Sequence, residues 1–195
     1  NEFHAGGSIF WSPDSLTEAL PSPYSNDGVL LADNSRNTGG DNLTAAVWAS
    51  GALVKDRLFA YGLVEYAKLD NDTFAGKGQA NSTSAQNKQP KWLLKMDWNI
   101  SDNHILEFTA LSDKRKIETD YFDTLTDADD KSNPRFGTYR GTDYSEFGGE
   151  AYIAKYTGYL TDNLTLSVLA GHSESARSNY SITAAGIRNE YNGGV

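Results

Sequence analysis

The feature that most constrains this chain is the alternation in residues 91–113. Trp92, Leu94, Met96, Trp98 and Ile100 share one parity, and Leu93, Lys95, Asp97 and Asn99 share the other. Successive strand side chains point to opposite faces, so a period of two describes a strand with one apolar and one mostly polar face. A helix would scatter the same residues around its axis. Ser101-Asp102-Asn103 supplies turn chemistry, because Asp and Asn tolerate left-handed backbone and bond their own main chain. Leu106, Phe108 and Ala110 then resume the alternation against Glu107 and Thr109. The unit is a β-hairpin. In a soluble sandwich its charged face would be solvated surface, whereas in a membrane barrel that face would line the lumen and the apolar face would meet lipid.

The rest of the chain repeats this unit. Phe3, Ala5, Gly7, Ile9 and Trp11 alternate in a first strand, and Leu43, Ala45, Val47, Ala49, Gly51 and Leu53 line one face of a second. Residues 54–57 turn the chain into a third, residues 58–69, in which both faces are comparably apolar. Tyr152, Ala154, Tyr156, Gly158 and Leu160 alternate with Ile153, Lys155 and Thr157. Thr161-Asp162-Asn163 turns this strand into Leu164, Leu166, Val168 and Ala170, and residues 181–188 are a candidate eighth strand. Between these strands lie three polar stretches rich in Pro, Gly, Asn and Asp, at residues 12–41, 70–89 and 114–146, which read as long loops.

Seven or eight strands of about ten residues, with very short and very long connections taking turns, fit an antiparallel transmembrane β-barrel segment better than a sandwich. Composition agrees: only 38% of residues are hydrophobic, yet 12% are aromatic, with 11 Tyr, 4 Trp and 18 Gly, as expected where apolar residues are confined to alternate positions. A net charge of −9 argues against a nucleic-acid surface, which needs clustered Lys and Arg. Without cysteine there are neither disulfides nor thiolate metal sites. No run reaches the roughly 18 apolar residues of a spanning helix, which leaves barrels open because their lipid face is hidden in alternation.

Motifs that would carry bond chemistry are incomplete. His4, His104 and His172 lie in separate elements, none with a second ligand at zinc spacing. Gly171-His172-Ser173-Glu174-Ser175 imitates a nucleophile elbow but lacks the final Gly and the following helix, so it reads as a strand end. Asp127-Ala128-Asp129-Asp130-Lys131 begins like a calcium loop, then places Lys131 where a ligand belongs. Six Asn-x-Ser/Thr sequons, at Asn42, Asn71, Asn81, Asn99, Asn163 and Asn179, are expected by chance in a chain so rich in these residues. No enzyme activity and no cofactor or metal is therefore expected.

Three stretches resemble a known family. Asn1-Glu2-Phe3-His4, followed by small residues and an aromatic strand, resembles the passage from plug to barrel in TonB-dependent outer-membrane receptors, especially their Oar-like branch. Residues 50–61, Ser-Gly-Ala-Leu-Val-Lys-Asp-Arg-Leu-Phe-Ala-Tyr, are similar to that family's first periplasmic turn, although Ser50-Gly51-Ala52 stands where Gly-Gly-Pro is usual. Residues 95–104 are similar to the next such turn. The resemblance implies short periplasmic turns, long extracellular loops and a bacterial outer-membrane location. Because the chain has no plug, no TonB-contacting segment and no terminal aromatic residue, residues 1–195 read as a single-domain fragment, the first part of a larger barrel.

The partners implied are outer-membrane lipid, the protein's own plug, the inner-membrane TonB complex and an unknown small ligand, with no nucleic acid. On this reading Lys95, Asp97, Glu107 and Lys155 face the lumen, where they would contact the plug or line a solute path, or else form a plain cross-strand charge ladder on a wet face. Tyr24, Tyr121, Phe122, Tyr139 and Tyr144 are candidate ligand contacts in the long loops. Two alternatives remain: a complete small eight-stranded outer-membrane barrel with a structural or adhesive role, and a soluble secreted β-sandwich that binds carbohydrate or protein.

Overall fold

The computed structural model describes residues 2–36, 40–75, 81–129 and 131–191. The residues of interest at 37–39, Gly76, Gly78, Asp130 and the chain end from Asn192 lie outside these. The described chain is all-β: one antiparallel sheet of eleven strands and a single 3-10 turn, Asp14–Leu16. The strands are β1 (His4–Ser12), β2 (Asn42–Val54), β3 (Leu58–Thr73), β4 (Ser82–Ser101), β5 (His104–Ser112), β6 (Arg115–Leu125), β7 (Arg135–Phe147), β8 (Gly149–Thr161), β9 (Leu164–Ser175), β10 (Ser178–Thr183) and β11 (Arg188–Glu190).

Three pairs of strands lie end to end. The 20-residue β4 pairs β5 through residues 92–101 and β6 through residues 82–88, so β5 and β6 form one long strand broken at Asp113 and Lys114. Likewise β7 and β8 are interrupted only at Gly148, and β9 and β10 only at Ala176 and Arg177. The eleven strands thus occupy eight positions of an up-and-down meander. Its short turns, at residues 55–57, 102–103 and 162–163, lie at one end, and the longer connections lie at the other. Asp56 adopts φ 58, the left-handed backbone that Asp accepts in a tight turn. Among the described residues β1 pairs only with β2 and β9 only with β8, so the sheet is open at both edges.

The three breaks fall at one level and form a seam. The Asp113 N–H donates to the Gly149 carbonyl at 3.2 Å, the Gly149 N–H returns to Asp113 Oδ1 at 2.9 Å, and the Ala176 N–H donates to the Gly148 carbonyl at 3.1 Å. Gly148 has φ 93, and a Cβ there would sit 2.7 Å from the Asp113 carbonyl, so the position requires glycine. Across the seam, the β4 register skips from Trp92 opposite Ser112 to Lys88 opposite Lys116. Pro90, which has no N–H to donate, stands in this gap.

Two of the three expected long loops are largely strand. Residues 70–89 extend β3 to Thr73 and start β4 at Ser82, and residues 114–146 form β6 and β7 joined by a connection at 126–134. Beyond the seam β3 and β4 are polar on both faces and the apolar residues of β6 and β7 follow no single parity, so the alternation that marks a half-apolar strand is lost although the pairing continues. Residues 12–41 do form a long connection, holding the 3-10 turn and an isolated bridge between Tyr24 and Leu30. The candidate eighth strand resolves into β10 and β11 around a turn at Gly186.

No core lies between layers: the only buried hydrophobic residues among those described are Ala52, Ala67 and Ala110. Below the seam, register places Gly7, Val47, Val64 and Trp92 in one cross-strand row, with Gly62, Leu94, Ala110 and Tyr152 in the next. Leu58, Trp98, Leu106, Tyr156 and Val168 continue the same face. Several branched side chains of this band are exposed, with Val47 at 63%, Val64 at 57% and Val168 at 51%, and an exposed apolar patch of this kind marks an interaction surface.

Candidate functional site

Register brings the four charged candidates onto the face opposite the apolar band. Asp97 stands directly across from Glu107, and Glu107 directly across from Lys155. Two like charges side by side repel, and each is answered by an ammonium group: Lys155 Nζ donates to Glu107 Oε2 at 2.8 Å, and Lys95 Nζ lies 3.6 Å from Asp97 Oδ2. Asp97 Oδ1 is buried without a hydrogen-bond partner. Lys95 and Asp97 border a hollow of about 290 Å3 with Glu2, Ser50, Phe59 and Tyr61. A third ion pair on this face, Lys91 to Glu65 at 3.1 Å, was not anticipated, because Glu65 lies in a strand whose two faces are equally apolar in sequence.

The charged face also carries an apolar row. Trp48, Leu63, Leu93 and Leu111 are cross-strand neighbours in register, and Trp48 stacks near Tyr61 at 6.3 Å. Sequence parity placed Leu93 among charged residues but could not place it in a row, because a row needs the register of four strands.

The aromatic candidates divide. Tyr24 lies in the long connection as expected and is 62% exposed. Tyr121, Phe122, Tyr139 and Tyr144 are strand residues of β6 and β7, which corrects their assignment to a loop. Phe122 packs on Tyr139 at 5.7 Å and on Phe136 at 4.7 Å, and Phe136 packs on Phe74 at 4.5 Å, a ring cluster at the end of the sheet that carries the longer connections. Tyr144 stacks on Tyr180 at 4.7 Å, with Lys116 over one ring and Arg188 over the other. Tyr121 points to the other face, where burial, then a hydrogen bond to Asp143, raises its phenol above the ordinary value. Ile, Thr, Tyr and Phe in residues 117–122 are strand-forming types and were the available signal.

Near these rings, a hollow of about 690 Å3 is bordered by Asp14, Arg36, Asp41, Asp70, Asp72 and Phe136. The Arg140 guanidinium grips Asp123 through Nε at 2.7 Å and Nη2 at 2.5 Å, and this holds the Asp123 carboxyl below its ordinary range. Asp129 accepts the N–H groups of Ser132 at 2.9 Å and Lys131 at 3.0 Å, which lower its carboxyl to about 2.

The other motifs resolve into strand. Residues 171–175 lie within β9 with His172 opposite Tyr152, so no nucleophile elbow forms. His104 Nδ1 is 2.6 Å from the Tyr156 hydroxyl, a hydrogen bond on the apolar face near a short turn. Among the described residues no three His, Asp or Glu side chains come together as a metal site, and no helix is long and apolar enough to cross a membrane.

No family model matches the chain, and comparison with curated proteins and with solved structures returned no match.

Proposed function

We propose that this chain is a segment of a transmembrane β-barrel in a bacterial outer membrane, and that it belongs to a receptor of the TonB-coupled uptake type. The observation that carries the reading is the one-sided meander: the exposed face below the seam is a continuous apolar band, the opposite face holds paired charges, and every short turn lies at the same end. A sandwich would bury such a band against a second sheet, and the described chain has one layer. A complete eight-stranded barrel would pair its first and last positions, which do not pair among the described residues. In a larger barrel, further strands of the same protein would close both free edges.

The receptor class is supported by where the family-like segments lie. Residues 50–61 and 95–104 form two tight turns at the same end, with the Asn99 N–H donating to the Arg57 carbonyl at 2.7 Å and Arg57 Nη1 to the Ile100 carbonyl at 3.2 Å. The row of Trp48, Leu63, Leu93 and Leu111 inside the charged face suits contact with a folded plug, since water alone would leave four apolar side chains wet. In this reading Lys95, Asp97, Glu107 and Lys155 flank that plug, and a ligand meets the strand-borne aromatics and the hollow at the far end.

The test is to locate the native polypeptide with an antibody against residues 131–146 and to measure its size. A product several times longer in the outer-membrane fraction, whose ligand uptake stops when the proton-motive force is collapsed, is expected. A soluble monomer that needs no detergent would overturn the membrane reading, and uptake indifferent to the proton-motive force would overturn the coupling.

A further inference from the structure

At the seam the apolar face changes character within two residues. Tyr66 and Pro90 end the band, and the next cross-strand row is Lys68, Lys88 and Lys116, three like charges directly opposite one another. Sheets disfavour such a row because neighbouring ammonium groups repel. Where β5 gives way to β6, a crevice of about 430 Å3 lies on this face, bordered by Tyr66, Lys88, Pro90, Lys114, Lys116 and Glu146. Each lysine side chain is more than a third exposed.

The existing counter-charges are divided among the lysines. Lys114 reaches Glu150 at 2.7 Å and Lys68 reaches Asp70 at 2.7 Å, but Lys88 and Lys116 share Glu118, at 3.6 and 3.0 Å. Glu146 stands opposite Lys116 at the rim. A carboxylate has two oxygens, whereas a phosphate monoester, such as the headgroup of phosphatidic acid, offers three acceptor oxygens and up to two charges, enough to accept from Lys88, Lys114 and Lys116 together.

A second hollow selects the kind of phosphate. Two to four residues down β3 and β4, about 7–13 Å from Tyr66 and Pro90, lies an apolar dimple of about 500 Å3 bordered by Val47, Gly62, Val64, Trp92 and Leu94. Gly62 creates it: a Cβ there would meet nothing within 4 Å. A polar ligand has no use for this dimple, and a hydrocarbon chain fills it.

We propose that the crevice binds the phosphate headgroup of an anionic membrane lipid, with an acyl chain of the same molecule lying in the dimple at Gly62. This rests on the membrane reading above, which turns the apolar band toward lipid. Lysines at the upper edge of that band would then stand at headgroup level, where an ammonium group gains from anionic lipid.

The native protein would be inserted into phosphatidylcholine nanodiscs doped with long-chain phosphatidic acid, and the lipid that stays bound after extraction measured by native mass spectrometry. Preferential retention of phosphatidic acid is expected, weakened about fivefold for each of Lys88→Gln, Lys114→Gln and Lys116→Gln and about a hundredfold by all three. Gly62→Leu, which has room for its side chain, should weaken retention without touching a lysine, and Lys131→Gln in a distant connection should not. Equal retention of both lipids by a protein that inserts normally would overturn the lipid site and leave the membrane reading standing. Displacement by inorganic phosphate as effectively as by the lipid would show a free-phosphate site and overturn the acyl-chain assignment. Failure to enter neutral nanodiscs would overturn both readings.

Discussion

The apolar band makes a quantitative statement about depth. Along β4 it runs from Ile100 to Pro90, ten steps that at about 3.3 Å each and a tilt of about 40° rise about 25 Å, the height of a barrel's lipid-facing band. The midpoint falls at Lys95, which faces away, so on the membrane reading Leu94 and Met96 are the outward residues beside the midplane, Leu94 flanked by Gly62 and Ala110. Trp98 lies only three residues from Ser101 at the short-turn end. If the band is set in lipid as proposed, Leu94→Arg should therefore cost roughly 2–4 kcal/mol, because the guanidinium would be held in hydrocarbon, while Trp98→Arg near the interface should cost about 0–1 kcal/mol from charge. Asp97→Asn, on the charged face at the same depth, should be close to neutral. Reversible unfolding of the native protein in lipid vesicles, followed by tryptophan fluorescence, reads these differences; the Leu94 variant should shift the folding equilibrium by about thirtyfold to several hundredfold. Similar costs for all three substitutions would refute both the facing and the depth assigned to β4.

Other perturbations probe the seam, the charge ladder and the polar end. A Cβ at Gly149 would run into the Glu174 carbonyl, so Gly149→Val should destabilise by about 1–3 kcal/mol, seen as a lowered melting temperature with the β8–β9 amides exchanging first. Glu107 and Lys155 are partly exposed, at 34% and 45% of the side chain, so a double-mutant cycle with Glu107→Gln and Lys155→Gln should give a coupling of about 0.2–1 kcal/mol if that face stays wet; a coupling above about 3 kcal/mol would mean that the pair is buried in the assembled protein. Asp129 has a folded-state pKa of about 2 against an ordinary 3.8, so its contribution is complete above 3.8 and lost as the pH falls through about 2. The Ser132 and Lys131 amides should accordingly lose protection only in that acid window, and loss near pH 4 would contradict the hydrogen bonds drawn to Asp129.

What was legible in the sequence ends where the apolar band ends. Trp92 to Ile100 could be read as a strand with an assigned face because one parity is apolar there, and the tight turns at residues 102–103 and 162–163 were legible from Asp-Asn. Beyond Pro90 the same strand continues through Lys88, Gln86 and Ser84 with nothing in the sequence to distinguish its faces from those of a loop. Tyr121, Phe122, Tyr139 and Tyr144 stand out in the sequence as aromatics in a polar stretch, which suggests a loop, but they lie on β6 and β7. The charge ladder was half legible: parity put Lys95, Asp97, Glu107 and Lys155 on one face, but which residues meet depends on register between strands, with Glu107 and Lys155 48 positions apart, which a single strand does not encode. Neither the lysine row nor the row of Trp48, Leu63, Leu93 and Leu111 could be read locally, because each is assembled from several strands.

The extension beyond the seam changes how the far end can work. A loop catches a ligand at the entropic cost of ordering itself, whereas a hydrogen-bonded hairpin is ordered beforehand. Here Ser82, fully buried, shares a hydrogen bond with Thr124 at 2.6 Å and accepts the Ala75 N–H at 3.2 Å. Thr142 donates to Asp120 and shares a 2.6 Å hydrogen bond with Tyr139, and the Asp123–Arg140 fork ties β6 to β7 again. These contacts hold Phe122, Phe136 and Tyr139 on strands whose backbones are already paired, so the rings are positioned by the sheet itself. On the receptor reading, affinity at this end would then depend on pre-set ring geometry more than on loop closure. Arg140→Ala, which frees one side of the fork, would weaken ligand capture by loosening the rings even though Arg140 itself need not touch the ligand.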